Sequence, residues 1–492
     1  MPRTKNIVAL DCGNSSYRIV LGRYDGKKIT TEVIDQIQNR MIQVGDYYYW
    51  DFLAIYQEFK NSLKKVASMV DQIDSVGICT WGIDFALFDN QGNMLNNPLS
   101  YRNTIGEEHL DKLNNNSRKE LFFQTGILCD KINSLYMLMG IKEHMTDIYK
   151  AADRMLMVPD ILNYILTGVM LNEPSELSTT QLLDVKTKRI NTEVCERFGI
   201  PQKWFREIGV HGQKIGNIRK SILDDLQIGY EIPVICVPSH DTASAVVAIP
   251  STEKDFAFIS SGTWSLIGTE LDNPIINESV RSNKLTNELG AFGKITLLKN
   301  SVGMFLIQRI KKELEETLNK ELTWGELIHM ADEYKGETPM FDINNGRFFN
   351  PASMIEEIWS YLKEKNQVGG PLDYGAIIKA VYVSIACCYT QTITQIEYIT
   401  GKTFEGIYIV GGGSRNIAVN KLTSRLTGKK VIACDKESTS LGNIAVQLKY
   451  FDSYLDIYSI REIINNSIET TEYKEKLDDS DLVRRYANLC NN

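Results

Sequence analysis

The chain has 492 residues, too many for one hydrophobic core, and is expected to form two domains of roughly 200 to 250 residues each. Hydrophobic residues make up 43 % and charged residues 24 %, the profile of an ordinary soluble globular protein. The net charge of −8 argues against a nucleic-acid backbone as partner, but not against a nucleotide gripped by backbone N–H groups. The opening "MPRTKNIVALDCG" has an apolar run of only four residues, too short for a signal peptide, and no stretch approaches the roughly 18 apolar residues that span a bilayer. Nine scattered cysteines without a C-x-x-C pair suggest neither a disulfide framework nor a zinc site, and a reduced cytoplasmic compartment fits them best. Cys387 and Cys388, in an apolar helical run, read as buried thiols. The five histidines show no metal-ligand spacing.

In chain order, "NIVAL" reads as a buried strand, "DCGNSS" as a turn and "YRIVLGRY" as a second strand. This is a hairpin whose tip carries Asp11, Gly13, Asn14, Ser15 and Ser16. Residues 73 to 88 read as strand, polar interruption and strand. "PSHDTASAV", residues 238 to 246, sets a His-Asp pair between two apolar runs. "AFISSGTWSLIG", residues 257 to 268, repeats the hairpin scheme with Ser260, Ser261, Gly262 and Thr263 at its tip. Two such tips half a chain apart hint at internal duplication. Residues 376 to 400 form a helix stopped by Gly401. "GIYIV" is then a strand, "GGGSRN" a glycine turn and "IAVNKLTSRLTG" a helix ending at Gly428. Strands followed by helices imply an α/β protein. The last forty residues, charged and weakly periodic, read as surface helices.

Five places carry chemistry. The glycine turn after "IYIV" is either a tight turn or a close approach to a ligand at a helix N-terminus. The two tips offer hydroxyls and backbone N–H groups that can cradle phosphate oxygens, and Asp11 can hold a water-coordinated Mg²⁺ beside them; the alternative is two ordinary turns. In "CTWGIDFALFD", Asp84 can accept hydrogen bonds from sugar hydroxyls while Trp81 offers an apolar face, or the pair is a turn aspartate with a core tryptophan. An ionised Asp241 in an apolar setting is paired, capping the following helix, or reactive.

"ALDCGNSS", "TWGIDFALFD", "PSHDTASAV", "SSGTWSL" and "VGGGSRN" resemble the FGGY family of carbohydrate kinases, in its rhamnulokinase branch, as do "INSLYML", "STTQLLD", "LTNELGAFG" and "LLKNSVGMFLIQR". The resemblance implies two actin-like, ribonuclease-H-like domains with the active site in the cleft between them: a sugar-binding domain over 1–247, a nucleotide-binding domain over 248–452 and a helical tail over 453–492. It implies an ATP-dependent kinase with Mg²⁺ that phosphorylates the C1 hydroxyl of L-rhamnulose. Asp241 would be the general base. Trp81, Gly82, Asp84, His240, Thr242 and Asn300 would hold the sugar. Gly13, Asn14, Ser15, Ser16, Tyr17, Gly262 and Thr263 would handle phosphates, with Gln308, Gly412 and Asn416 around the adenosine and Asp11 holding Mg²⁺ through water. The expected partners are a small ketose and ATP, with neither nucleic acid nor membrane; the sequence leaves the oligomeric state open. Other readings are a kinase for L-fuculose or L-xylulose, or an actin-like ATP- or sugar-binding protein without transfer. The sequence departs from the branch at Asn14 and Tyr17 in the first tip, at "VIDQIQNRMIQ" over 33–43 and at "YRNTIG" over 101–106. The last two segments bear on which sugar is taken.

Overall fold

The computed structural model describes residues 3–251, 253–434, 437–478 and 481–490. The chain gathers into two compact units. One comprises Met1–Thr252, Glu270–Leu297 and Glu437–Ile468; the other comprises Glu253–Thr269, Leu298–Lys436 and Glu469–Asn492. This division is not contiguous, unlike the one drawn at residues 247 and 452. Leu441, Ile444, Ala445, Ile460 and Ile464 pack with Ile7, Ala9 and Val20 of the first hairpin, which draws their segment into the first unit.

The first unit is built on a six-stranded sheet in the order Lys214–Asn217, Pro233–Ile235, Ser75–Thr80, Lys5–Cys12, Ser16–Tyr24, Ile29–Gln38. The predicted hairpin is antiparallel, with Cys12 opposite Tyr17, and its first strand runs parallel to Ser75–Thr80. Side chains alternate between two cores, as the period of a strand demands. Val8, Leu10, Ile19 and Leu21 pack with Phe52, Phe59 and Leu63 of helix Phe52–Met69 and with Ile161 and Leu162 of helix Val158–Thr167. Ile7, Ala9 and Val20 face the opposite core, with Val247 of helix Asp241–Val247 and the helices Ser438–Phe451 and Ile457–Asn465. Cover on both faces is why "NIVAL" reads as an unbroken apolar run. A Cβ on Gly77 would lie 2.4 Å from Asn443 Oδ1, so the glycine admits helix Ser438–Phe451 close against the strand.

The second sheet has seven strands in the order Thr286–Leu289, Ile295–Val302, Trp264–Leu271, Ala257–Ser261, Gly406–Val410, Lys430–Cys434, Thr470–Tyr473, with Thr286–Leu289 contributed by the segment Glu270–Leu297 of the first unit. Its hairpin is also antiparallel, and its first strand also runs parallel to the next inward strand, Gly406–Val410. Apart from the extra edge strand Thr286–Leu289, the two sheets follow one strand plan, in keeping with the duplication suggested by the two tips.

Helix Tyr374–Thr400 has 27 residues, is capped by Asp373 and ends at Gly401 with φ 68°. By length and composition it could cross a membrane, contrary to the expectation that no stretch could, but its most apolar window is 89 % buried in the protein. Cys387 and Cys388 lie on it, both buried and free, as expected. The last forty residues are not simply surface helices. Ile460 and Ile464 are fully buried, Arg461 pairs with Glu270, and Thr470–Tyr473 adds an antiparallel strand beside Lys430–Cys434.

Candidate functional site

The first tip is a tight turn: Gly13 N–H donates to Ser16 O at 3.0 Å. Asn39, within the departing 33–43 segment, braces it by donating Nδ2 to Gly13 O at 3.1 Å and its backbone N–H to Ser15 O at 3.0 Å. Ser15 is exposed, and Asn14 Oδ1 is buried without a hydrogen-bond partner among the described residues. Tyr17, expected among the phosphate contacts, turns its side chain into the core and is 2 % exposed, because strand alternation points it inward. Its bulk therefore leaves the tip clear, and only its backbone remains to face a ligand. Asp11 is nearly buried and accepts from Ser440 Oγ at 2.8 Å. Burial pushes its carboxyl up to about 7, with the charges of Asp241 and Glu437 acting the same way against Ser440 and Arg18.

The stretch Gly82–Asp84 is strained. Ile83, a β-branched residue, has φ 72°, a region such residues avoid. Its N–H donates to Thr179 Oγ1 at 2.9 Å, and its carbonyl accepts from Ser134 Oγ. A Cβ on Gly82 would lie 2.9 Å from Thr179 Cγ2 and 3.3 Å from the His240 ring, so the loop packs directly on the imidazole. Asp84 is fully buried. Its Oδ2 accepts from Trp50 Nε1 at 2.6 Å and Trp81 Nε1 at 2.8 Å, while Oδ1 has no hydrogen bond of normal geometry among the described residues. Burial raises this carboxyl to about 7, against the pull of the two indoles and the Tyr101 backbone. A buried acceptor with one lone oxygen is suited to a ligand hydroxyl. Trp81 does not offer an open apolar face: its N–H is committed to Asp84, its ring centroid lies 4.3 Å from that of Trp50, and it is 5 % exposed.

His240 is the N-cap residue of helix Asp241–Val247 and Asp241 is its first residue, with no side-chain cap bond. Asp241 therefore stands one position past the N-cap, in the acidic first turn, where the Thr242 backbone also acts on its carboxyl. Its carboxylate accepts from Thr242 Oγ1 at 3.3 Å and is 32 % exposed. Burial raises its pKa, opposed first by the charge of His240. His240 Nε2 lies 3.5 Å from Asp241 Oδ1 and Nδ1 lies 3.2 Å from Glu288 Oε2. The second pair is close enough for its charges to act directly, although Nδ1 makes no hydrogen bond of normal geometry among the described residues. Burial would lower the His240 pKa, but Glu288 and then Asp241 hold it up at about 9. Glu288 and Asp241 thus favour the protonated imidazole beside the carboxylate.

The backbone entering this helix is held from below. His240 N–H donates to Ser175 Oγ at 3.0 Å, and Ser175 Oγ donates to Glu173. Glu173 caps the short helix Pro174–Ser178 and pairs with His211 Nε2. Phe292 N–H donates to His211 Nδ1 at 3.0 Å, which leaves the His211 proton on Nε2, facing Glu173. Trp50, Glu173, Ser175, His211 and Glu288 were not singled out from the sequence. Glu-Pro at 173–174 does carry a helix-start signal; the others have no local one.

In the second unit, the tip, the glycine turn and helix Phe305–Leu318 meet. Met304 N–H donates to Gly262 O at 2.9 Å and Gly303 N–H to Thr263 O at 3.1 Å. A Cβ on Gly411 would lie 2.7 Å from Ser261 O, and one on Gly413 would lie 1.9 Å from Ser261 Oγ. Asn416 caps helix Ile417–Thr427 and places Nδ2 3.8 Å from Met304 Sδ. Gly262, Thr263, Gln308, Gly412 and Asn416 therefore share one region, with Gln308 and Gly412 exposed. Asn300 is exposed on strand Ile295–Val302 of the same unit. Among the described residues, Glu108, Glu143 and His144 group three possible metal ligands, all exposed. The ion pairs His109–Glu143 and His144–Glu108 account for them.

The N-terminal domain profile of the FGGY family of carbohydrate kinases matches residues 6–248, and the C-terminal domain profile matches 257–450. The chain is 37 % identical to a rhamnulokinase of Oceanobacillus iheyensis over 95 % of this chain and 97 % of that one. It is 35 % identical to the rhamnulokinase of Bacteroides thetaiotaomicron over 95 % and 96 %, and 34 % identical to that of Bacillus subtilis over 97 % of each. Its fold is similar to the crystal structure of a gluconate kinase from Lactobacillus acidophilus, with a TM-score of 0.79 at 16 % identity over 99 % of this chain and 96 % of that one. It is equally similar to Plasmodium falciparum glycerol kinase with ADP, with a TM-score of 0.79 at 15 % identity over 99 % and 97 %.

Proposed function

Because the chain belongs to the FGGY family of carbohydrate kinases, we propose that it transfers the γ-phosphoryl group of ATP to the C1 hydroxyl of L-rhamnulose. The ketose is suggested by relatives named rhamnulokinase. The observation that carries the chemistry is Asp241: a part-exposed carboxylate one position past the N-cap, 3.5 Å from the His240 ring.

In this reading Asp241 accepts the C1 hydroxyl proton as that oxygen forms its bond to the γ-phosphorus and the bond to the ADP oxygen breaks. Asp84 Oδ1 accepts a sugar hydroxyl, and Gly82, His240 and Thr242 complete the first unit's contacts. Trp81 acts through Asp84. Asn300 is assigned to the sugar by the family resemblance. Gly13, Asn14, Ser15, Ser16, Gly262 and Thr263 serve the phosphates; Gln308, Gly412 and Asn416 serve the adenosine. Asp11 fits a cation held through water, since burial and neighbouring carboxylates leave its charge under-compensated. Mg²⁺ bound there would supply charge neutralisation for the phosphates.

The direct test is product identity. Reaction with Mg-ATP and L-rhamnulose is expected to give a sugar phosphate whose C1 protons couple to phosphorus in NMR; phosphate at another carbon, or no sugar phosphate, would reject the assignment. Activity is also expected to follow pH on two sides. It falls at low pH as Asp241 protonates, with a midpoint above the ordinary carboxylate value of 3.8. It falls again at high pH as His240 loses its proton near about 9. A pH–rate profile flat through pH 9 would remove the imidazolium from the account. Gly413→Ala should drive a methyl group into Ser261 and displace the glycine turn. A displacement of that size is expected to lower kcat/KM for ATP by about 100-fold, measured by ADP release at saturating ketose.

A further inference from the structure

We infer that Trp50 is a positioning residue for sugar selectivity, carried on a hairpin that aims the Asp84 carboxylate. The inference rests on Asp84 holding the ketose. Met41–Val44 pairs antiparallel with Tyr47–Trp50, placing Met41 opposite Trp50. The hairpin is pinned to residues 97–103. Trp50 N–H donates to Pro98 O at 3.0 Å, Ser100 N–H to Tyr48 O at 2.9 Å, and Asn97 Nδ2 to Trp50 O. Tyr48 N–H donates to Asn103 Oδ1 at 2.8 Å, and Asn103 Nδ2 returns a bond to Tyr48 O at 2.7 Å. These elements join the two first-unit segments, 33–43 and 101–106, where the sequence departs from the pattern it otherwise resembles. The departures thus meet in one piece of structure, and its inward end is the Trp50 indole.

That indole has a specific effect on Asp84. The terminal torsion of an aspartate is broad and roughly two-fold, so a single donor leaves the carboxylate plane free to swing. Two indole N–H groups converge on Oδ2 from Trp50 and Trp81, whose rings pack at 4.3 Å. With the Tyr101 backbone acting on the same carboxyl, they fix the plane and leave Oδ1 without a hydrogen bond of normal geometry among the described residues. An acceptor of fixed direction distinguishes hydroxyl configurations, which is how related ketoses differ. Trp50 touches no substrate in this account; it acts through Asp84.

The test is Trp50→Phe, which keeps an aromatic ring and removes the N–H, assayed with Mg-ATP against L-rhamnulose and L-fuculose. The expected result is a KM for L-rhamnulose raised by about 10- to 100-fold, the size of a lost hydrogen bond to a charged group. The kcat/KM ratio between the two ketoses should shrink while the KM for ATP stays constant. Asn103→Ala, which loosens the hairpin without touching Asp84, should shift the ketose KM and the ratio in the same direction by less. A folded Trp50→Phe with unchanged ketose KM and ratio would overturn the inference and leave Trp50 as core. If Trp50→Phe does not fold, unchanged selectivity in Asn103→Ala overturns it and a shift there supports it. If the wild type shows no ketose-stimulated turnover, the reading of the site falls and the inference falls with it.

Discussion

Asp241→Asn should leave a folded protein whose ketose-stimulated ADP release is lower by about 10³- to 10⁴-fold, the upper range for loss of a positioned general base. The substitution is close to isosteric. The carboxylate is 32 % exposed and its hydrogen-bond partner is the neighbouring Thr242 hydroxyl at 3.3 Å, so no distant structure hangs on it. Removing its charge also removes a repulsion felt by Asp11. Thermal midpoint and ketose affinity are therefore expected to stay near wild type while kcat collapses. Calorimetric binding of the ketose beside the ADP-release assay separates the two. Retention of more than a tenth of wild-type kcat would take the base away from Asp241.

The second large effect is structural. Gly442 lies where helix Ser438–Phe451 crosses helix Asp241–Val247, and a Cβ there would sit 1.9 Å from Ser244 O and 2.8 Å from its carbonyl carbon. Two physical effects oppose each other in Gly442→Ala. Alanine favours a helix over glycine by about 1 kcal/mol. Overpacking against a well-filled contact costs about 1–3 kcal/mol, occasionally more, and the obstructing atoms here are backbone with no rotamer to yield. Packing should win, with a thermal midpoint lowered by roughly 2–4 °C. Because the displaced helix begins at Asp241, kcat should fall as well, by about 100-fold if the base moves by about 1 Å. A differential scanning trace and a kcat both matching wild type would contradict this close approach.

What could be read from the sequence was local. The two hairpins follow from apolar strands around small polar tips, and the glycine turn from "IYIVGGG", because strand period and turn chemistry act within about ten residues. Asp84 and Asp241 stood out as carboxylates beside apolar runs. Trp50 did not, because its role exists only through a hydrogen bond to a residue 34 positions on. Glu288 matters only through His240, and His211 only through Glu173, 38 positions before it. Neighbourhood alone places Tyr17 at the tip, but strand alternation turns its ring inward and leaves only its backbone there. The domain limits were drawn as contiguous because sequence order cannot show that Ile444 and Ile460 pack beside Ile7. The resemblance supplied what local patterns could not: the pairing of both tips and the His-Asp element into one kinase family.

The most direct test of the central claim is ADP release by the full chain with Mg-ATP across L-rhamnulose, L-fuculose, L-xylulose, D-ribulose, D-xylulose and glycerol. The account predicts ketose-dependent turnover with the highest kcat/KM for L-rhamnulose. A higher value for another ketose would keep the kinase and reassign its substrate. ATP binding with no turnover stimulated by any of these sugars would contradict the account.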